Sequence, residues 1–173
     1  GVGILTIMEN GELLTEDIIL AAKAGAIGIL NIGAASDEAA TFAGYITPTT
    51  NINFGEGNAI LNFNHLNNGY IFENLIQGTG TVEVNSGQTI LTAQNSWSGT
   101  ANLNAGILKA GAVNTFSHNA TYNIADGALL DLNGFNQTIS SVSNSGTINL
   151  SGGQPGTVLT INGDYIGEGG LIS

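Results

Sequence analysis

Few side chains in this chain could perform acid–base or nucleophilic chemistry. Its two histidines, His65 and His118, stand among Asn and Ser residues typical of turns, so we expect both at exposed corners and neither as a catalytic base or metal ligand. No serine lies in the Gly-x-Ser-x-Gly pattern of a nucleophile elbow. Cysteine is absent, which excludes disulfide bonds and thiolate-bound zinc. The sequence therefore predicts no catalytic residue and no metal ligand.

Two carboxylates, Asp126 and Asp131, are close enough in sequence to be weighed as the pair that glycoside hydrolysis needs on facing walls of a cleft. Asp131 alternates with two leucines, however, which predicts an outward position on an ordinary strand. A polysaccharide lyase is disfavoured because such enzymes use a basic residue as the base, and the chain has no Arg and only Lys23 and Lys109. We expect a protein that is not an enzyme and binds no cofactor, with a polysaccharide-active enzyme as an alternative.

The charge of the chain is strongly negative. Thirteen carboxylates against two lysines give a formal net charge of −11, and the acidic residues are scattered, which is typical of a solubilising surface. Nothing in this composition could neutralise phosphates, so we expect no nucleic acid as a partner and no direct insertion of this chain into an anionic membrane. The acidic pairs at 16–17 and 37–38 are expected in solvated loops rather than around calcium.

The elements that must position any functional side chain are indicated by a repeated five-residue phrase. In each copy small or polar residues alternate with large apolar ones, the period of a strand with one buried face. A unit this short cannot enclose a core, so neighbouring units must stack into a solenoid. The copies lie at residues 3–7, 28–32, 59–63, 80–84, 99–103, 128–132, 146–150 and 157–161.

The repeats predict one domain over residues 1–173, an all-β, three-sided parallel coil with seven or eight turns about 4.8 Å apart. Phe54, Phe63 and Phe72 are expected among the core fillers, and Asn, Ser and Thr at repeated corners are expected to stack in hydrogen-bond ladders. Two segments are less regular. Residues 12–24 have near-helical apolar spacing, although the flanking turns favour strands, and residues 33–44 are predicted as a loop or wide corner.

Surface recognition is the function class that the composition leaves open. Four aromatic residues are expected to be exposed or half-exposed: Tyr45, Tyr70, Trp97 and Tyr165. Trp97, in a Ser-Trp-Ser sequence, is the foremost candidate for a contact residue. The alternative is that its indole packs over a corner of the coil.

The order of several phrases adds a resemblance to a known family. Residues 28–35, 52–57, 61–65 and 70–80 follow an order that resembles the passenger domains of bacterial autotransporters, the type V secretion family. Residues 87–111 resemble the autotransporter-associated β-strand repeat, with Trp97 where that repeat usually has tyrosine. Residues 162–172 resemble the start of the pertactin-like segment that precedes the membrane barrel in this family.

This resemblance implies a right-handed parallel β-helix that is exported and then displayed on the bacterial outer membrane or secreted. It also implies that the chain is a fragment of a longer passenger, without the signal peptide, linker and translocator barrel. The implied function is a non-enzymatic interaction module for adhesion to host cells or matrix, or for bacterial aggregation. Its partner would be a host cell-surface or matrix protein, or another copy of itself. The alternatives are a released virulence factor that activates a host receptor, as a proangiogenic growth factor does, and a passive stalk.

Overall fold

The computed structural model describes residues 1–152 and 156–173, and these residues form strands and turns with no helix. The strands, in chain order, are β1 Val2–Ile7, β2 Glu12–Leu13, β3 Asp17–Leu20, β4 Ile27–Gly33, β5 Tyr45–Ile46, β6 Asn51–Phe54, β7 Asn58–Phe72, β8 Ile76–Leu91, β9 Ser98–Leu103, β10 Ile107–Ala110, β11 Ala120–Ile124, β12 Leu129–Asp131, β13 Gln137–Ile139, β14 Ser141–Asn144, β15 Thr147–Asn149, β16 Leu159–Ile161, β17 Tyr165–Gly167 and β18 Leu171–Ile172.

Every pairing between these strands is parallel, and the pairings stack equivalent strands of successive turns into three walls. Wall A contains β1, β4, β7, β8, β9, β11, β14 and β17, so the coil makes about eight turns, which we call rungs. Wall B contains β2 and β5 in the first rungs and then β10, β12, β15 and β18. Wall C contains β3, β6, β13 and β16. The long strands β7 and β8 bend around corners and contribute to more than one wall. The predicted all-β, three-sided solenoid is confirmed.

The repeated phrases explain the register of wall A. Gly28 pairs with Gly3 on one side and Ala59 on the other, so the first three copies lie directly over one another. Beyond residue 80, paired residues of successive rungs are 18 to 24 residues apart. The last three copies are not in wall A: residues 128–132 and 146–150 lie in wall B, and residues 157–161 lie in wall C. Similar phrases therefore form strands in different walls, because a strand in any wall needs side chains that alternate between the interior and the outer surface.

The core is one continuous apolar cluster that runs through the middle of the coil. One inward column of wall A passes from Leu30 through Leu61, Val82, Ala101 and Tyr122 to Val142. Phe54, Phe63 and Phe72 are all buried, as predicted. Because each rung covers its neighbours, almost every inward side chain away from the two ends loses its contact with water.

The two irregular segments have the predicted character. Residues 12–24 contain the short strands β2 and β3 and no helix, because Ile18 and Leu20 face the interior at strand spacing and pair with β6. Residues 34–44 leave the coil between β4 and β5 and form a loop with two isolated bridges. This loop lies over the outer face of wall A, where the carbonyl of Ala34 accepts a hydrogen bond from the Asn62 amide.

Close contact between rungs requires glycine at some corners. Gly99 has a φ of 113°, and a Cβ atom at this position would lie 2.2 Å from the carbonyl oxygen of Gly80. Only glycine can combine this backbone conformation with this approach. The rung spacing therefore depends on such positions as well as on the apolar interior.

Candidate interaction surfaces

Asparagine side chains link successive rungs on the outer side of wall A. The Asn31 amide donates to Thr6 Oγ1 at 3.0 Å, the Asn62 amide to Asn31 Oδ1 at 2.9 Å, and the Asn85 amide to Asn62 Oδ1 at 2.7 Å. The Asn104 amide continues the series to Asn85 Oδ1 at 2.8 Å. This asparagine ladder confirms the predicted stacking of polar side chains. It uses the polar atoms for cohesion between rungs, so most of them are not free to bind a ligand.

Buried amides also hold the corner between wall B and wall C. The Asn74 amide donates to the carbonyls of Thr47 and Thr50, at 2.8 and 2.9 Å. Asn95 Oδ1 accepts from the Ile76 backbone, and Gln137 Oε1 accepts from the Phe116 backbone, at 2.8 and 3.0 Å. These side chains satisfy backbone groups that a corner would otherwise leave unpaired.

Trp97 does not reach the surface, so the expectation of exposure at this position is wrong. Its side chain is fully buried, and its ring centroid lies 6.3 Å from that of Tyr122. The ring centroid of Phe116 lies 6.0 Å from that of the same tyrosine. Ala101, the partner of Tyr122 in the preceding rung, is buried as well. Trp97 therefore fills the core inside the corner, closer to the alternative interpretation than to a contact role.

The three tyrosines differ in their surroundings. Tyr45 is 49% exposed on wall B beside Glu12. Tyr70 is half-buried, its hydroxyl donates to the Gly44 carbonyl at 3.1 Å, and burial raises the pKa of its phenol to about 12. Tyr165 is exposed, but it pairs with Val142 and so continues an inward column at the last rung. Of these residues, Tyr45 is the one that both is well exposed and lies on a lateral wall.

The two histidines have opposite environments. His118 is exposed, as expected. His65 is fully buried, which corrects the prediction of an exposed corner, and its Nε2 lies 2.8 Å from Thr89 Oγ1. The imidazole packs against the rings of Tyr70 and Phe63, with centroids 5.2 and 6.4 Å away. Burial lowers the pKa of His65 to about 4, because the charged ring would lose its hydration.

Asp131 is engaged in structural contacts. Its side chain is mostly buried against Lys109, whose Nζ lies 3.1 Å from Asp131 Oδ2. The Asn133 backbone and the Asn149 amide both donate to Asp131 Oδ1, at 2.9 and 3.0 Å. Asp126 is exposed in the turn before β12. In the described residues no group of three or more His, Asp or Glu side chains could hold a metal ion.

Large apolar side chains are exposed on the lateral surface of the second and third rungs. Phe42 neighbours Leu66 through the bridge between Thr41 and His65. Ile71, on the outer side of wall B, pairs with Ile90. We call the exposed residues of this region, Phe42, Tyr45, Leu66 and Ile71, the apolar patch; each is between 47% and 58% exposed. Tyr45, Leu66 and Ile71 lie in strands, and Phe42 lies in the loop at residues 34–44.

Comparisons with known proteins give partial similarities. The chain is 42% identical over 116 residues, 62% of its length, to the uncharacterized lipoprotein YdeK of Escherichia coli K12. It is 31% identical over 116 residues to the uncharacterized protein YuaQ of the same strain. It is 27% identical over 171 residues, 92% of its length, to the adhesin BmaC autotransporter of Brucella suis biovar 1.

The chain spans less than a tenth of each relative: 9% of YdeK, 8% of YuaQ and 5% of the BmaC adhesin. No protein-family model matches the sequence, and no solved structure matches it. The described part of the chain contains no helix that is long and apolar enough to cross a bilayer. The chain is thus a β-solenoid with distant similarity, over nearly its whole length, to an autotransporter adhesin.

Proposed function

We propose that this chain is a surface-displayed or secreted, non-enzymatic interaction module that mediates adhesion to host cells or matrix, or aggregation between bacteria. The observation that carries the proposal is the similarity over 92% of the chain to a protein named as an autotransporter adhesin. The similarity to a lipoprotein agrees with a location at the cell surface. Both relatives are far longer, so this module would be one part of a larger adhesive rod.

The apolar patch supports this function. Its four large side chains lie in the second and third rungs, which stack about 4.8 Å apart, and all four are exposed to a partner. Exposed apolar groups of this kind, rimmed by polar residues, are typical of protein contact sites. Glu9, Glu12 and Glu73 lie near the patch in sequence and would favour a partner with basic residues at the rim.

Adhesion of the isolated chain tests the proposal. Beads coated with the purified 173-residue protein should bind to cultured epithelial cells or to immobilised fibronectin and collagen, or should aggregate with one another. The double variant Leu66→Asp/Ile71→Asp should reduce this binding at least tenfold, because it places charges in the contact region. Ile19→Asp is the matched control, since Ile19 is 62% exposed on wall C, outside the patch.

The proposal would be contradicted if protein-coated beads bound to cells, to matrix and to one another no more than uncoated beads do. If the Leu66→Asp/Ile71→Asp variant still binds, the adhesive function stands and its contact surface lies outside the apolar patch. Circular dichroism of each variant must show the same β-sheet spectrum as the wild type, so that a loss of binding reports the surface and not unfolding.

A further inference from the structure

Wall C carries a cleft of about 370 Å³ that is lined by side chains which each carry a polar group. Asn95 forms part of its lining, and six other side chains complete it. They are Gln94, Ser96, Asn114, His118, Thr138 and Asn162. We call this site the amide cleft. No carboxylate, no lysine and no large apolar side chain lines it, although the chain as a whole carries thirteen carboxylates.

The six side chains differ from the asparagine ladder in the use of their polar atoms. On wall A, Asn31, Asn62 and Asn85 bond to one another in series. Within the described residues, none of the six lining side chains takes part in a hydrogen bond to another protein group, and five of them are exposed. Amides, hydroxyls and an imidazole therefore converge with donors and acceptors available to a ligand.

The backbone of the amide cleft is fixed. The Asn95 amide donates to the carbonyls of Ala93 and Thr115, at 3.1 and 2.8 Å, while its Oδ1 accepts from the Ile76 backbone. The Asn119 amide donates to the Ser96 carbonyl at 3.2 Å. A ligand would therefore meet side chains on a preformed support, and binding would cost little ordering of the main chain.

The chemistry of the lining selects a class of ligand. Amide groups offer a donor and an acceptor side by side, which suits neighbouring hydroxyl groups. No carboxylate or lysine is present in the lining to pair with a charged ligand, and a net charge of −11 repels anionic polymers such as sulfated glycans. An apolar peptide would find no large apolar side chain in the lining. Lining residues come from four successive rungs, about 4.8 Å apart, so the cleft is elongated along the coil axis.

We propose that the amide cleft binds an uncharged oligosaccharide, with successive sugar residues lying along successive rungs. This proposal deepens the adhesive function and rests on it for biological meaning, since it names a glycan as one partner of the module. The site would bind without cleaving, because glycosidic hydrolysis requires two carboxyl groups at the bond and none lines the cleft. The apolar patch and the amide cleft would then be two separate contact surfaces.

An array of neutral oligosaccharides, with tetramers of β-linked glucose, N-acetylglucosamine, mannose and galactose, tests the proposal directly. The full 173-residue protein should bind at least one of them, and isothermal titration calorimetry of that tetramer should give its affinity. The double variant Gln94→Ala/Asn114→Ala should weaken binding about tenfold, since it removes two pairs of donor and acceptor groups. Asn58→Ala/Asn68→Ala is the control, because both of these exposed amides lie outside the cleft.

Three results would overturn the proposal: no binding to any neutral glycan on the array, binding that the Gln94→Ala/Asn114→Ala variant leaves unchanged, or stronger binding to a heparin tetrasaccharide. Each of these is distinguishable from failure of the adhesive function. If the beads adhere to cells but the protein binds no glycan on the array, only the proposed ligand of the amide cleft is refuted. Glycan binding without any adhesion of beads would refute the adhesive function and leave the cleft in place.

Discussion

Acid should destabilise this fold through the buried side chain of His65. The ring is fully buried between aromatic side chains, and burial lowers its pKa to about 4, against about 6.5 in an unfolded chain. Between these two values the unfolded chain binds a proton that the folded chain does not. The contribution of neutral His65 to stability is therefore complete above pH 6.5 and is lost as the pH falls towards 4.

The size of the effect follows from the two pKa values. From pH 7.5 to pH 5, proton binding to the unfolded state alone lowers the free energy of unfolding by about 2 kcal/mol. Exposed carboxylates add their own pH dependence, so the wild type must be compared with a variant that lacks this imidazole. His65→Gln removes the titrating group and keeps a polar atom that can reach Thr89, the present partner of Nε2.

Urea unfolding at pH 7.5 and pH 5.0, followed by circular dichroism, measures the difference. We expect the wild type to lose about 2 kcal/mol more than His65→Gln on acidification, whatever the stability of that variant at neutral pH. His118→Gln is the control, since His118 is exposed, and it should behave as the wild type does. Equal losses in the wild type and in His65→Gln would refute the buried, neutral imidazole and the reasoning built on it.

Three further changes test the packing of the coil. Asn62→Ala should lower the free energy of unfolding by about 2–4 kcal/mol, because the ladder partners of this buried amide lose their hydrogen bonds. Asn58→Ala should change the free energy of unfolding by less than about 0.5 kcal/mol in the same urea titration. Trp97→Ala should lower the free energy of unfolding by about 3–5 kcal/mol, because it leaves a cavity in the core. Urea unfolding or differential scanning calorimetry measures this loss. A loss below about 1 kcal/mol would contradict the position of Trp97 in the core. Gly99→Ala should cost about 3 kcal/mol or prevent folding, because its Cβ would meet the Gly80 carbonyl. Gly127→Ala, at another positive φ of 81° but with open space around it, should cost about 1 kcal/mol. Equal effects of the two changes would argue against the close contact between rungs.

The solenoid was predictable because its requirements are local and repeated. Alternation of apolar and small residues at 3–7, 28–32 and 59–63 indicated strands with one buried face, and their similarity indicated stacking, as the pairing of Gly3, Gly28 and Ala59 confirms. The same alternation could not show which wall a phrase occupies, because every wall has an inward and an outward side. The phrases at 128–132 and 157–161 therefore looked equivalent to the others and lie elsewhere.

Corner residues were harder to place for a different reason. His65 and Trp97 stand among Asn and Ser residues, a composition that indicates turns, and turns usually lie at the surface. In a stacked coil, however, a corner is covered by the rungs on either side, so a side chain that points inward there is as buried as one on a strand. The ring contacts of Trp97 with Tyr122 come from separate rungs, and no short window of sequence contains both residues.

The amide cleft was not predicted from the sequence. Its lining comes from positions 94 to 162, and each residue alone is an ordinary polar side chain of a corner or strand. Only the stacking brings Asn114, Thr138 and Asn162 to one side of the coil. A pattern of uncharged polar residues at matching places in consecutive repeats is the signal that could have indicated it.

The excursion at residues 34–44 has a consequence for how such a coil can diversify. The strands on both sides of it keep their partners, since Gly33 pairs with Asn64 before the excursion and Glu12 pairs with Tyr45 after it. Extra residues inserted at that corner are therefore accommodated outside the stack, and the neighbouring turns stay aligned. Such a corner can be lengthened or replaced during evolution without changing the strands that support it. Related solenoids can therefore differ in surface shape while they keep the same stacked core.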